Sequence, residues 1–325
     1  MKKKIAITLG EPGGVGPEVI VKALSNRTIQ RCCSPVVIGD AATVKEAVRK
    51  SKLSMKVRII HDLNELNAGQ STIDVVDIRS PYKFKKNISS RGAGRAVVKY
   101  ITKAVELAMN GDVDGIVTAP ISKESLHMAE HKWPGHTELL AELTGARNFA
   151  MMFVSRKLKV ILCTIHMPLK DVPQKITKSG VAGTIRLGIK GCEMMGTKTP
   201  KLAVAGLNPH AGEGGVIGKE EIRAIIPAVN EFKKAGVDVS GPWPPDVVFH
   251  KAYSGEFDMV VCMYHDQGLI PFKMLAFDTG VNMTVGLPII RTSPDHGTAF
   301  DIAWQNKAEP TSMIEAIKLA AKLKI

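Results

Sequence analysis

Three of the chain's nine histidines share one setting. His166 ends the apolar run KVILCTIH (159–166), His210 lies four residues past the run KLAVAG (201–206) in GLNPHAGEGG, and His265 ends DMVVCMYH (258–265). Open α/β sheets bind ligands beyond the carboxyl ends of their strands. Three imidazoles meeting there could hold a metal ion and leave a coordination position open, the pattern of a catalytic rather than a structural site. Imidazole suits zinc, nickel, cobalt or iron, and the sequence does not choose among them. The spacing is no metal motif, and each histidine taken alone reads better as a residue hydrogen-bonded at a loop start; only the three together favour a site.

A second group is polar and basic. Pro134, Gly135, His136 and Thr137 open the helical pattern WPGHTELLAEL (133–143), and helix starts present unpaired N–H groups to anions. Lys273, Asn282 and Arg291 stand at turn and strand-end positions within a span of about twenty residues. A lysine and an arginine so placed could hold a carboxylate and a phosphate, the arginine bidentately. Taken singly, Thr137 is a helix cap and the two cations are surface residues. The loop GEPGGVGPE (10–18) looks like a phosphate cradle, yet it misses the G-x-G-x-x-G register and carries no Walker lysine. A tight strand-to-helix crossover accounts for it equally well.

These residues need strands and helices to position them, and the chain alternates the two. Strand-like runs are KIAITL (4–9), PVVIG (35–39), VRIIH (57–61), IDVVD (73–77), DGIVTAP (114–120), AMMFVS (150–155) and VNMTVG (281–286), besides the three that lead to the histidines. Between them, Gly94–Met109 repeats apolar residues at Val97, Val98, Ile101, Val105 and Ala108, the helical period. Similar patterns cover Thr137–Leu143, Ala182–Met195, Glu220–Ala235 and Ser312–Leu323. Strands apolar on both faces, alternating with helices, predict an α/β fold on largely parallel sheets. At 325 residues, two α/β lobes with a cleft between them are expected. The Pro-rich stretch GPWPPD (241–246) reads as an ordered loop.

Composition narrows the classes. No apolar run approaches the roughly 18 to 20 residues of a membrane span. MKKKIAITLGEPGG has an apolar run of only about five residues, short of the roughly 7 to 15 of a signal peptide, so a cytoplasmic protein is expected. The five cysteines, Cys32, Cys33, Cys163, Cys192 and Cys262, are odd in number and form no C-x-x-C pair, which argues against a disulfide framework. Cys163 and Cys262 sit in apolar runs and read as core residues. The net charge of +13 is scattered along the chain without interleaved aromatics, which disfavours nucleic acid and suits a solvated surface or the focusing of a multiply negative small substrate.

The strings GEPGGVGPE, TAPISKE (118–124), PGHTELLA (134–141), GLNPHAGE (206–213), PPDVVF (244–249), MYHDQGLIPFK (263–273) and GVNMTVGLPIIRTSPDHGTAFDIA (280–303) together resemble the 4-hydroxythreonine-4-phosphate dehydrogenase family over essentially the whole chain. The resemblance implies two α/β/α lobes like those of isocitrate and isopropylmalate dehydrogenases, with boundaries expected at 1–130 plus 275–325 and at 131–274. It also implies a homodimer whose active sites draw on both subunits, with NAD as cofactor, or NADP in its place, and a divalent metal (Zn, Co, Mg, Mn or Ni). The family's metal-ligand positions match His166, His210 and His265. Its substrate positions match His136, Thr137, Lys273, Asn282 and Arg291. Lys273 and His166 would serve catalysis directly, with Asp246 and Asp266 as proton relays or hydrogen-bond partners of the histidines. The family more often has Asp-Pro-Ala where this chain has Glu11, Pro12 and Gly13. A sister branch acting on 4-phospho-D-threonate or 4-phospho-D-erythronate resembles the same strings. Outside this family, a three-histidine metal hydrolase would need no nicotinamide, and a basic nucleic-acid-binding protein would tolerate loss of all three histidines.

Overall fold

The computed structural model describes residues 2–66, 71–80 and 84–325, and the chain divides into two compact units. The first comprises 1–147 with 287–323 and the last residue, and the second comprises 148–286 with Lys324. Both boundaries fall later than the sequence suggests. The helix His136–Thr144 packs on the helix Arg91–Met109 and so stays with the first unit. The segment Val281–Val285 is zipped into the second unit's sheet.

The first unit holds six parallel strands: β1 (Lys4–Thr8), β2 (Ser34–Gly39), β3 (Lys56–Ile59), β4 (Thr72–Asp77), β5 (Gly115–Thr118) and β12 (Arg291–Pro294). Their spatial order is β3-β4-β2-β1-β5-β12. The central strand β1 is buried from Ile5 to Thr8, the outcome its unbroken apolar run requires. Along the helix Arg91–Met109, Val97, Ile101 and Val105 are buried, whereas Val98 and Ala108 sit at the margin of the face. The glycine-rich loop is a tight crossover into the helix Gly16–Leu24. A Cβ on Gly14 would lie 2.9 Å from the Thr298 carbonyl oxygen, to which Val15 N–H also bonds at 2.9 Å. The motif's last residue, Glu18, is wholly buried and accepts the amides of Trp304 at 2.5 Å and Asn306 at 2.6 Å.

The second unit holds β6 (Ala150–Val154), β7 (Lys159–Leu162), β8 (Leu202–Ala205), β9 (Val239–Trp243), β10 (Met259–Cys262) and β11 (Val281–Val285). Their order is β11-β6-β7-β10-β8-β9. The pairs β11–β6 and β6–β7 are antiparallel, and the remaining pairs are parallel. The stretch expected to be a loop at 241–246 therefore contributes to a strand. Pro242 is accommodated because β9 is the sheet's edge, where a missing N–H leaves no ladder bond broken. Phe153 and Phe272 meet edge to face at 5.7 Å in this unit's core, beside the buried Cys262. Cys163, expected in the core, is only half-buried, because β7 ends at Leu162 and the chain turns outward.

Candidate active site

Parallel pairing sets the first constellation. β7, β10 and β8 are consecutive in the sheet, so the segments leaving their carboxyl ends, which carry His166, His265 and His210, emerge side by side. Local hydrogen bonds then join the three exits. Thr164 Oγ1 donates to the Met263 carbonyl at 2.8 Å, and Thr164 N–H reaches the same oxygen at 3.2 Å. Gln267, buried in the first turn of the helix His265–Ala276, accepts the Met263 amide at 2.6 Å and donates to the Gly206 carbonyl at 2.7 Å.

His166 and His265 come together, their ring centroids 5.5 Å apart and tilted by 43°. Asp266 Oδ1 lies 2.7 Å from His265 Nδ1. In the tautomer with its proton on Nδ1, His265 donates to that carboxylate and keeps the Nε2 lone pair for another partner. The pair lines a cavity of about 410 Å³ with Ile165, Tyr264, Asp266 and Ile270. His210 instead lines a neighbouring cavity of about 410 Å³ with Asp246, Tyr264 and Gln267, so Tyr264 belongs to both. Among the described residues, no three His, Cys, Asp or Glu side chains gather closely enough to hold a metal ion. The donor set thus fits a divalent metal in its chemistry and in two of its three positions, with the third imidazole one cavity away.

The second constellation lies in the first unit. Arg291 opens β12 and is 3% exposed. Its Nη2 and Nε donate to Thr118 Oγ1, at the end of β5, at 2.8 and 3.2 Å. Burial pulls the guanidinium pKa down to about 10, with the Glu138 carboxylate acting in the opposite direction. His136 begins its helix after Gly135, which offers no side-chain cap. Its ring Nε2 is shielded from solvent and has no hydrogen-bond partner among the described residues. Burial, reinforced by the Arg291 charge, holds the imidazole well below its ordinary pKa and keeps it neutral. Thr137 is buried in the same first turn. Burying a guanidinium costs several kcal/mol even after relaxation. A cation, an unpartnered ring nitrogen and a helix start so arranged are suited to receive an anion.

Lys273 is half-buried in the last turn of the helix His265–Ala276, its Nζ 5.9 Å from the Phe277 ring, and Asn282 is buried on β11 opposite Phe153. Both belong to the second unit, apart from the His136, Thr137 and Arg291 group of the first. Thr118, Gln267 and Glu221 were not singled out from the sequence. Thr118 and Gln267 lie inside the motif strings TAPISKE and MYHDQG, but Glu221 has no signal beyond its place in an apparently ordinary helix.

Two histidines meeting at adjoining strand ends, and a buried arginine beside a shielded imidazole, stand on an α/β frame, and relatives across the full chain are dehydrogenases. The chain belongs to the family described as "Pyridoxal phosphate biosynthetic protein PdxA", which it matches over residues 31–320. It is 45% identical to the 4-hydroxythreonine-4-phosphate dehydrogenase of Desulforapulum autotrophicum, over 98% of this chain and 94% of that one. It is 46% identical to the D-threonate 4-phosphate dehydrogenase of Salmonella typhimurium, over 99% of each. The crystal structure of 4-hydroxythreonine-4-phosphate dehydrogenase from Klebsiella pneumoniae superposes with a TM-score of 0.90 at 44% identity, covering 98% of both chains. A terephthalate 1,2-cis-dihydrodiol dehydrogenase from Burkholderia xenovorans superposes with a TM-score of 0.69 at 27% identity, covering 98% of each chain.

Proposed function

We propose that this chain oxidises the secondary hydroxyl of 4-(phosphooxy)-L-threonine with NAD and a divalent metal, and releases CO2 to form 3-amino-2-oxopropyl phosphate. The observation that carries the reading is the buried Arg291 beside the unpartnered Nε2 of a neutral His136. Such a pairing of a buried cation with a neutral imidazole suits a phosphate or carboxylate. The carbinol carbon would lose its hydrogen as hydride, which bound NAD would take up, and the hydroxyl proton would leave to solvent. The resulting β-keto acid loses its carboxylate as CO2, and the enolate left behind takes up a proton. A divalent metal on His166, His210 and His265, when bound, supplies Lewis acidity toward the hydroxyl and the enolate oxygen.

The chain's own residues do the rest. Arg291, His136 and Thr137 fix an anionic end of the substrate, and Asn282 adds an uncharged hydrogen-bonding group. The Lys273 ammonium stabilises the enolate's negative charge. Asp266 orients the His265 ring through its 2.7 Å contact, and Asp246 serves the same purpose beside His210. A second copy of the chain completes the enzyme. On the helix His265–Ala276 and the residue after it, Ile270, Met274 and Phe277 recur at helical spacing and are 60, 83 and 72% exposed, a face suited to a partner of the same kind.

The relatives named D-threonate 4-phosphate dehydrogenase are as similar as those named for the amino acid, which supports a second reading with 4-phospho-D-threonate as substrate. Both molecules pair a carboxylate with a phosphate and differ at C2, amino against hydroxyl. The test follows NAD reduction by metal-loaded protein with 4-phosphooxy-L-threonine, 4-phospho-D-threonate and 4-phospho-D-erythronate. Turnover of the amino acid, lost on chelation and in His166→Ala, supports the first reading. Turnover of the sugar acids alone selects the second, and reduction with none of the three overturns both.

A further inference from the structure

The loop that carries His210 holds an unusual backbone. His210, Ala211, Gly212, Glu213 and Gly214 all lie at positive φ, from 44 to 79°. Three of the five are not glycine, and L side chains rarely adopt this conformation. A run of this kind persists only if its surroundings impose it.

The imposing group is Glu221, 1% exposed at the start of the π-helical turn Glu221–Ile225. Its Oε1 accepts the amides of both Leu207 and Asn208 at 2.8 Å, and its Oε2 accepts Asn208 Nδ2 at 2.9 Å. The same Nδ2 donates to Glu220 Oε2 at 2.9 Å. The loop closes tightly over this carboxylate: a Cβ on Gly212 would stand 2.6 Å from Oε2, and one on Gly206 would stand 3.3 Å from Oε1. Gln267 secures the Gly206 carbonyl from the other side. The segment 206–212 is therefore wrapped around a single buried carboxylate, with His210 at its exposed tip.

We infer that Glu221 is a positioning residue for His210: it holds the left-handed loop and so keeps this imidazole at a fixed station beside Tyr264, one cavity from the other two histidines, instead of on a flexible coil. The inference rests on the three-histidine reading above. An Ala at 221 leaves two amides and the Asn208 side chain without their acceptor, and the strained run then relaxes. A Gln keeps one oxygen for the two amides but turns an NH2 toward Asn208 Nδ2, so it rescues in part.

The test measures Co2+ affinity of the full-length protein by chelator competition for wild type, His210→Ala, Glu221→Ala, Glu221→Gln and the His210→Ala/Glu221→Ala double variant. Hydrogen exchange at Leu207 and Asn208 in the metal-free proteins is recorded alongside. The expected result is a loss of about 10–100-fold in Glu221→Ala, the range of outer-shell ligand partners. A smaller loss is expected in Glu221→Gln, and no further loss on adding Glu221→Ala to His210→Ala, because one effect acts through the other. Faster exchange at 207 and 208 in the metal-free Glu221 variants completes the pattern. If His210→Ala weakens Co2+ binding while both Glu221 variants bind as wild type, or if the two losses simply add, the positioning role is overturned. If His210→Ala itself binds as tightly as wild type, the three-histidine site falls, and the inference with it. Should Glu221→Ala fail to fold, Glu221→Gln alone and combined with His210→Ala decides by the same criteria.

Discussion

Gln267 Nε2 donates to the Gly206 carbonyl at 2.7 Å, tying the helix that begins at His265 to the strand exit that leads to His210. The same side chain accepts the Met263 amide at 2.6 Å, so one buried amide group serves two of the three histidine segments. Gln267→Leu should destabilise the protein by about 2–6 kcal/mol, because it orphans a buried carbonyl and a buried N–H at about 1–3 kcal/mol each. Chemical denaturation measures this, and a loss below about 0.5 kcal/mol would contradict the bridging role.

Arg291→Lys should raise KM for a phosphorylated substrate by about 10–100-fold. A charge-assisted hydrogen bond contributes about 1.5–3 kcal/mol, and a lysine cannot reproduce the planar fork. Steady-state kinetics checks the split, since a change in kcat alone would place Arg291 outside substrate binding.

His136 contributes a pH dependence of definite sign. Its folded pKa lies well below the ordinary 6.5, so the stability it confers is full above that value and is lost as pH falls through the acid range toward the folded pKa. His136→Gln should flatten the fall in stability below about pH 6.5. Denaturation midpoints at pH 7.5 and 5.5 test it, and parallel losses in both proteins would count against a buried neutral ring.

Glu11 acts in the opposite direction. It is wholly buried, and among the described residues neither carboxylate oxygen has a partner of normal hydrogen-bond geometry, although Ser125, Ser122 and Gly13 lie nearby. Burial raises its pKa from 4.5 to about 7, outweighing those groups. The folded state therefore holds the proton more tightly, and the stability this confers is full below pH 4.5 and lost as pH rises to about 7. The loss is roughly 3 kcal/mol at 1.36 kcal/mol per unit. Glu11→Gln should be more stable than wild type at pH 8 and equal to it at pH 4.5. Equal stability at pH 8 would mean that the carboxylate is well solvated or paired.

Gly94→Ala sets propensity against packing. An exposed helical glycine gains about 1 kcal/mol on becoming alanine. Here the new Cβ would press into the Ser125 backbone carbonyl and the Ala129 side chain, where the helices Arg91–Met109 and Lys123–Met128 cross. Overpacking of about 1–3 kcal/mol should win, and thermal denaturation should show a lower Tm.

Ten strands were legible in the sequence because parallel strands buried on both faces are continuous apolar runs, and β1 and β10 are clear cases. β9 and β12 were not legible. One carries Gly241 and Pro242, tolerated only at an edge, and the other is a polar RTSP segment buried by its neighbours. Five helices announced themselves by period, whereas Ala41–Lys50 was not read and His265–Ala276 was hidden by Pro271 and a weakly sided apolar pattern.

The sequence by itself determined the α/β class, the family, and which histidines, lysine, asparagine and arginine are candidates for its chemistry, because residue type and apolar periodicity are local properties of the chain. Only the tertiary structure decided that β7, β10 and β8 are neighbours, that His166 and His265 pair while His210 stands across Tyr264, and that Arg291 is buried beside His136. Strand order, burial and the left-handed run over Glu221 depend on contacts between residues far apart in sequence, and no local pattern encodes them.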